Sequence, residues 1–215
     1  MLKLYNYFRS SAAYRVRIAL NLKGLPYEYC AVHLTRDGGE QLGAAYRAIS
    51  PDAVVPTLQD GEAFIQQSLA ICEYLDELHP EPPLLPGSAL DRAHVRALAL
   101  TIACEIHPLN NLRVLKYLKH SVGASEDAKT AWYQHWVEQG LASVEAMLAR
   151  SGKAGRHCLG DLPTLADLCL VPQIFNAQRF DCRLDHVPQV MRIYEHCMAL
   201  DAFANAAPAR QPDAE

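Results

Sequence analysis

Phe8-Arg9-Ser10-Ser11-Ala12-Ala13-Tyr14-Arg15-Val16-Arg17-Ile18-Ala19-Leu20 follows a short apolar strand signal, Leu2 to Tyr7, and opens an amphipathic helix expected to run to about Lys23. Two hydroxyls, Ser10 and Ser11, therefore stand where a strand turns into a helix N-terminus. The free N–H groups and partial positive charge of such a terminus hold anions, thiolates included. The chain places no cysteine at this turn, so a thiolate bound there must come from a ligand. Serine is also a preferred N-cap. A hydroxyl that caps a helix can still donate its own hydrogen to a bound anion, so the structural and chemical readings of the pair are compatible.

Working outward, Gly24 is a C-cap candidate and Pro26 prevents continuation of the helix. Tyr27–His33 alternates as a second strand. Val54–Leu58 reads as a strand entered through Ser50-Pro51, and Ala63–Ile65 follows the Asp60-Gly61 turn. Ser68–Leu78 reads as a helix with Ser68 as its N-cap. The order strand, helix, strand, hairpin, helix has thioredoxin-like connectivity, with a crossover in its first half.

The stretch from His79 to Ser88 is rich in proline and cannot be helix or central strand. Beyond it the pattern is helical almost throughout: Leu90–Tyr117 with a kink or break at Pro108, then Ala128–Arg150, Leu165–Phe175 and Val187–Asn205. The expected organisation is an α/β domain over 1–80, a linker over 81–89 and an all-α domain over 90–215.

Half of the 215 residues are hydrophobic, enough for a sizeable core. A net charge of −4 and a pI of about 6.1 give no global basic field, so neither nucleic acid nor an anionic membrane is an expected partner. No apolar run approaches a membrane span, and the N-terminus lacks a signal-peptide pattern. Seven cysteines, an odd number without Cys-x-x-Cys spacing, sit mostly among apolar neighbours. They read as buried, reduced thiols of a cytoplasmic protein. No His/Cys cluster has metal-ligand spacing, so no metal is expected.

Two further turns carry chemistry. In Val54-Val55-Pro56-Thr57-Leu58 a proline interrupts a strand pattern. That fits an ordinary edge-strand proline or a cis peptide that frees the Val55 backbone for an extended ligand. Gln66-Gln67-Ser68-Leu69-Ala70-Ile71 is a strand-to-helix turn with a hydroxyl and an amide. It can be a plain cap or a carboxylate site.

Together the three turns resemble the glutathione site of the glutathione transferase family. Over nearly the whole chain the resemblance is to the zeta class. Its signature, Ser-Ser-Cys-x-x-Arg-Val-Arg-Ile-Ala-Leu, stands as Ser10 to Leu20, with Ala12 in place of the cysteine. The segments Asp37-Gly38-Gly39-Glu40-Gln41, Val55-Pro56-Thr57-Leu58, Gln67-Ser68-Leu69-Ala70-Ile71, Asp167 to Gln173 and Arg210-Gln211-Pro212-Asp213 match as well. Ala12 argues against a mechanism that uses a protein thiol and leaves one that uses the sulfur of glutathione.

The resemblance implies the glutathione transferase fold, a thioredoxin-like domain followed by an all-α domain, in a homodimer with glutathione as cofactor. It implies Ser10 and Ser11 at the glutathione sulfur, and Val55, ahead of a cis Pro56, on the cysteinyl backbone. Gln67 and Ser68 would hold the γ-glutamyl carboxylate, with Gln41 toward the glycyl end. The second substrate would lie between the domains, near His107, Asn110, Asn111 and Arg113; His107, Asn111 and Arg113 also count as glutathione contacts. A dicarboxylate substrate needs cations, and Arg9, Arg113 and Arg179 match cleft-facing positions. Arg9 stands with the two serines as the catalytic set. Of Arg15 and Arg17, one faces the site and the other is structural; Arg15 is taken as the glutathione contact. Thr164-x-x-Asp167 is capping-box chemistry, and Trp132 and Trp136 read as core.

The implied reaction converts maleylacetoacetate to fumarylacetoacetate, in tyrosine and phenylalanine breakdown. The thiolate adds to the cis double bond, the resulting single bond rotates, and elimination gives the trans product. Isomerisation of maleylpyruvate, general transfer of glutathione to small electrophiles and α-halo acids, and a non-catalytic binding module are the alternatives.

Overall fold

The computed structural model describes residues 1–215, which divide into two compact units. The first comprises Met1–Leu84 together with Ala199–Glu215; the second is Leu85–Met198. The last seventeen residues therefore leave the helical domain to which 90–215 was assigned. Arg17 shows why: its Nε donates to the Ala206 carbonyl at 3.0 Å, and the Tyr14 hydroxyl donates to that of Phe203 at 3.2 Å. The proline-rich stretch is likewise tied to the first unit. The Leu84 N–H donates to Asp76 Oδ1 at 2.8 Å, and the buried Lys23 ammonium donates to Asp76 and to the Pro82 carbonyl.

In the first unit, β1 (Leu2–Asn6), α1 (Ser11–Leu22), β2 (Tyr27–Ala31), the single turn α2 (Ala44–Arg47), β3 (Thr57–Asp60), β4 (Ala63–Gln66) and α3 (Ser68–Leu78) follow in order. The sheet runs β2-β1-β3-β4, with β1 parallel to β2 and the other pairs antiparallel. A parallel pair needs a crossover, and α1 supplies it. α1 packs on α3, and Leu4, Val16, Ile18, Leu20, Leu58, Ile71 and Leu75 are buried. Expected as an amphipathic helix, α1 is buried on nearly every side, Arg15 and Arg17 included. A second cluster of Tyr7, Phe8, Val32, Tyr46 and Val55 lies beside the β1–α1 turn. The short α9 (Asp201–Ala204) packs on α1.

The second unit contains α4 (Ala89–Leu100), α5 (Leu112–His120), α6 (Glu126–Ser151), α7 (Leu165–Arg179) and α8 (Pro188–Met198). Ser88 and Asp91 form a reciprocal capping box at the start of α4. The helix expected over Leu90–Tyr117 is broken earlier than Pro108: a widened π turn, Thr101–Ile106, follows α4, then a 3₁₀ turn, His107–Asn110. Val187–Asn205 is two helices rather than one. Trp132 and Trp136 are half-buried rather than core; their rings meet edge-on, and the Trp132 indole N–H donates to the Leu109 carbonyl. No helix is long and apolar enough to cross a membrane.

Candidate functional site

Ser10 is the N-cap of α1: its Oγ accepts the Ala13 N–H at 3.2 Å. This uses a lone pair and leaves the hydroxyl hydrogen available to an anion. Ser11, the first helical residue, is buried and has an interaction partner within the protein. Beside them, Arg9 donates from Nε and Nη2 to the Tyr7 hydroxyl at 3.2 and 2.9 Å, and its guanidinium lies 4.7 Å from the Phe8 ring centre. Arg9 is thus held against the turn rather than free in solvent.

Arg15 and Arg17, alike in sequence context, have opposite environments. Arg17 spends its guanidinium on the Ala206, Tyr7 and Phe8 carbonyls and on Asn6 Oδ1. Burial pushes its pKa down. Arg15 is 2 % exposed and donates only from Nη1, to Ser68 Oγ at 3.2 Å; its Nε and Nη2 are buried and have no partner. Buried donors without acceptors are rare and costly. Two such donors on a cation, beside a hydroxyl at the start of a helix, fit a carboxylate.

The turn before α3 departs from expectation. Gln67, not Ser68, occupies the cap position, and Ser68 is the first helical residue. Gln67 has φ 68° and ψ 113°, a combination that costs a non-glycine residue about 1–3 kcal/mol and recurs where a ligand is held. Its exposed side chain makes no cap bond. The Val55–Pro56 peptide is cis, and Val55 stands ahead of β3, outside its ladder with β1. Gln41 is buried with its Oε1 unpartnered. Gly39 makes room for it: a Cβ there would meet the Gln41 amide at 2.7 Å.

In the second unit, His107 and Asn111 lie between the π turn and α5, and Arg113 is in the first turn of α5. His107 is half-buried and has a partner within the protein. The Asn111 side chain caps α5 by accepting the Arg113 N–H at 3.0 Å, and the Arg113 side chain is exposed. The neighbouring Asn110 is buried with its Oδ1 unpartnered. Arg179 is the exposed last residue of α7, 5.1 Å over the Phe180 ring.

One cluster was invisible in the chain. His157, Asp167 and Cys197, all buried, bring their ligand atoms within 4.8 Å of one another. The arrangement is a hydrogen-bonded node. Asp167 Oδ1 accepts the Cys158 N–H at 2.9 Å, and Oδ2 accepts the Thr164 N–H and hydroxyl at 2.8 Å. Burial holds His157 toward its neutral form and pushes the Cys197 thiol up. With its lone pairs taken by α7's capping groups, Asp167 serves the fold.

Residues 4–83 match the family described as Glutathione S-transferase, N-terminal domain. The chain is 51% identical over 211 residues to a probable maleylacetoacetate isomerase of Vibrio cholerae, covering 98% of this chain and 97% of that one. A solved holo structure of a maleylpyruvate isomerase, a bacterial zeta-class enzyme, superposes with a TM-score of 0.96 at 49% identity, covering 99% of this chain and 100% of the other. A maleylacetoacetate isomerase of Anaeromyxobacter dehalogenans, solved with dicarboxyethyl glutathione and citrate in its active site, gives a TM-score of 0.87 at 41% identity over 100% of this chain and 98% of that one.

Proposed function

Because the chain belongs to the zeta class of the glutathione transferase family, we propose that it is a glutathione-dependent cis–trans isomerase that converts maleylacetoacetate to fumarylacetoacetate. The observation that carries this reading is Arg15, a buried cation with two unpartnered N–H groups beside Ser68. It is suited to the γ-glutamyl carboxylate, with the strained Gln67 fixing that end of the peptide. Val55 pairs with the cysteinyl backbone, and Gln41 serves the glycyl end.

Bound glutathione supplies a thiolate nucleophile that can add to the cis double bond and leave again after rotation. The chain's part is to keep that sulfur ionised and to balance the charge that builds on the substrate. Ser10 Oγ–H donates to the sulfur while its lone pair caps α1, and the α1 N-terminus adds its partial positive charge. Arg9 stabilises the developing enolate oxygen, as a fixed cation aimed at nascent charge. The family resemblance supports assigning Arg113 and Arg179 to the substrate carboxylates and His107 and Asn111 to glutathione. The protein acts as a cytoplasmic homodimer, a reading supported by its seven free thiols and by the class.

Maleylpyruvate is the second reading, favoured by the 0.96 TM-score to an isomerase of that substrate. Both substrates present a cis double bond flanked by carboxylate and carbonyl groups. Loss of the cis substrate, followed for each compound with and without glutathione, decides between them. Faster turnover of maleylacetoacetate, dependent on glutathione, is expected; no turnover of either would remove the isomerase reading.

Gln67→Gly separates strain from binding. Relief of the positive φ should raise stability by about 1 kcal/mol, or roughly 2–4 °C in Tm for a chain of this size. Glutathione affinity should fall about tenfold for one lost polar contact. A variant equally tight for glutathione would show that the Gln67 side chain is no ligand contact.

A further inference from the structure

The backbone of Phe8, two residues before Ser10, is held through both of its peptide groups. The Phe8 N–H, in the peptide with Tyr7, donates to Asp213 Oδ2 at 3.1 Å, and the Phe8 carbonyl, in the peptide with Arg9, accepts from Arg17 Nη2 at 2.9 Å. Asp213 lies 205 residues away in the chain. Its other oxygen accepts the Tyr29 hydroxyl, from the middle of β2. The tail that presents Asp213 is itself anchored: Gln211 is buried and donates from Nε2 to the Asn205 and Ala207 carbonyls, both at 2.9 Å. The turn between these grips is closed by the Ser10 N–H on the Tyr7 carbonyl at 2.9 Å. Rotation of the backbone at Phe8 would therefore move Arg9 and Ser10 together.

We propose that Asp213 is a positioning residue for the isomerisation. By locking the Tyr7–Phe8 peptide between β2 and the tail, it sets where the Ser10 hydroxyl and the Arg9 guanidinium point. The carboxylate acts through the turn and touches neither glutathione nor substrate. A group displaced by a fraction of an ångström loses much of its effect on a charge it must stabilise, whereas binding contacts made elsewhere are spared. This proposal rests on the isomerase reading above, in which Ser10 activates the sulfur and Arg15, Gln67, Ser68 and Val55 hold the peptide.

The test compares wild type, Asp213→Ala, Asp213→Asn and Tyr29→Phe in three measurements: glutathione affinity, ultraviolet titration of the bound thiolate, and kcat. Asp213→Ala should lower kcat about tenfold or more and raise the bound thiol pKa by about one unit, with glutathione Kd within about threefold of wild type. Asp213→Asn should restore most of both. Its amide oxygen can accept the Phe8 N–H while its NH₂ donates to the Tyr29 oxygen. Tyr29→Phe should shift the titration in the same direction by less, and it decides the matter if Asp213→Ala does not fold.

An unchanged thiolate titration and kcat in Asp213→Ala, or in Tyr29→Phe where the alanine variant is unfolded, would overturn the proposal even if Tm falls. Asp213→Asn as impaired as Asp213→Ala would also overturn it, because charge rather than geometry would then be the cause. The wild-type titration tests the parent reading separately: a bound thiolate without isomerase turnover removes the reaction but leaves the positioning of Ser10 measurable. A wild type without bound thiolate removes both.

Discussion

Ser10→Ala lowers kcat by about two to three orders of magnitude, the usual effect of removing one preorganised donor from a developing or resident anion, while glutathione Kd changes by only a few-fold. In the proposed mechanism the hydroxyl has two functions at once. Its lone pair accepts the Ala13 N–H, and its hydrogen is left for the sulfur. The variant should also lose about 1 kcal/mol of stability through the missing cap. Ser11→Ala should be milder in kcat, since Ser11 is buried and already partnered within the protein. Steady-state kinetics with saturating glutathione separates the two variants. Equal turnover in both, near wild type, would show that neither hydroxyl activates the sulfur.

Arg15→Met has the second large effect, and its sign differs between the two states of the protein. Without ligand, Arg15 is a buried cation with one hydrogen bond and two unpartnered donors. Replacing such a charge by an apolar side chain of similar length is commonly neutral or stabilising by about 1–4 kcal/mol. With glutathione, the same change strands a buried carboxylate, which costs about 2–5 kcal/mol, or roughly 30-fold to several-thousandfold in Kd. Thermal melts with and without glutathione should therefore diverge: an unchanged or higher Tm in its absence, and little or no ligand-induced rise in its presence. A lower Tm with unaltered affinity would make Arg15 a structural residue like Arg17.

Much of this was legible because it is local. The strand-to-helix turn at Ser10, the Val55-Pro56 step and the Gln67-Ser68 turn are short signals whose chemistry follows from residue type and position. The remainder depends on neighbours distant in sequence. Arg15 and Arg17 read alike until Ser68 is seen beside one and the Phe8 and Ala206 carbonyls around the other. Asp213 appeared only as part of a terminal motif, because its partners Phe8 and Tyr29 are brought to it by the return of the chain after α8. The His157–Asp167–Cys197 node was invisible for the same reason. The π turn at Thr101–Ile106 carries no proline or glycine, so nothing in the chain marked the loosening that precedes Pro108, which opens the 3₁₀ turn His107–Asn110. The Gln67 backbone conformation has no signal in residue type, since a glycine would have been the ordinary choice there.

In the proposed mechanism the chain, with Ala12 in place of the cysteine of the class motif, keeps an external thiol ionised at the start of α1. The most direct measurement is the ultraviolet titration of glutathione bound to the wild-type protein. A cysteine thiol titrates at about 8.5 in solution. The bound thiol should titrate roughly two units lower, as thiols do at helix N-termini with a donor, and Ser10→Ala should return it most of the way. Bound glutathione that titrates at its solution value, in a protein that still isomerises its substrate, would contradict activation of the sulfur at this turn.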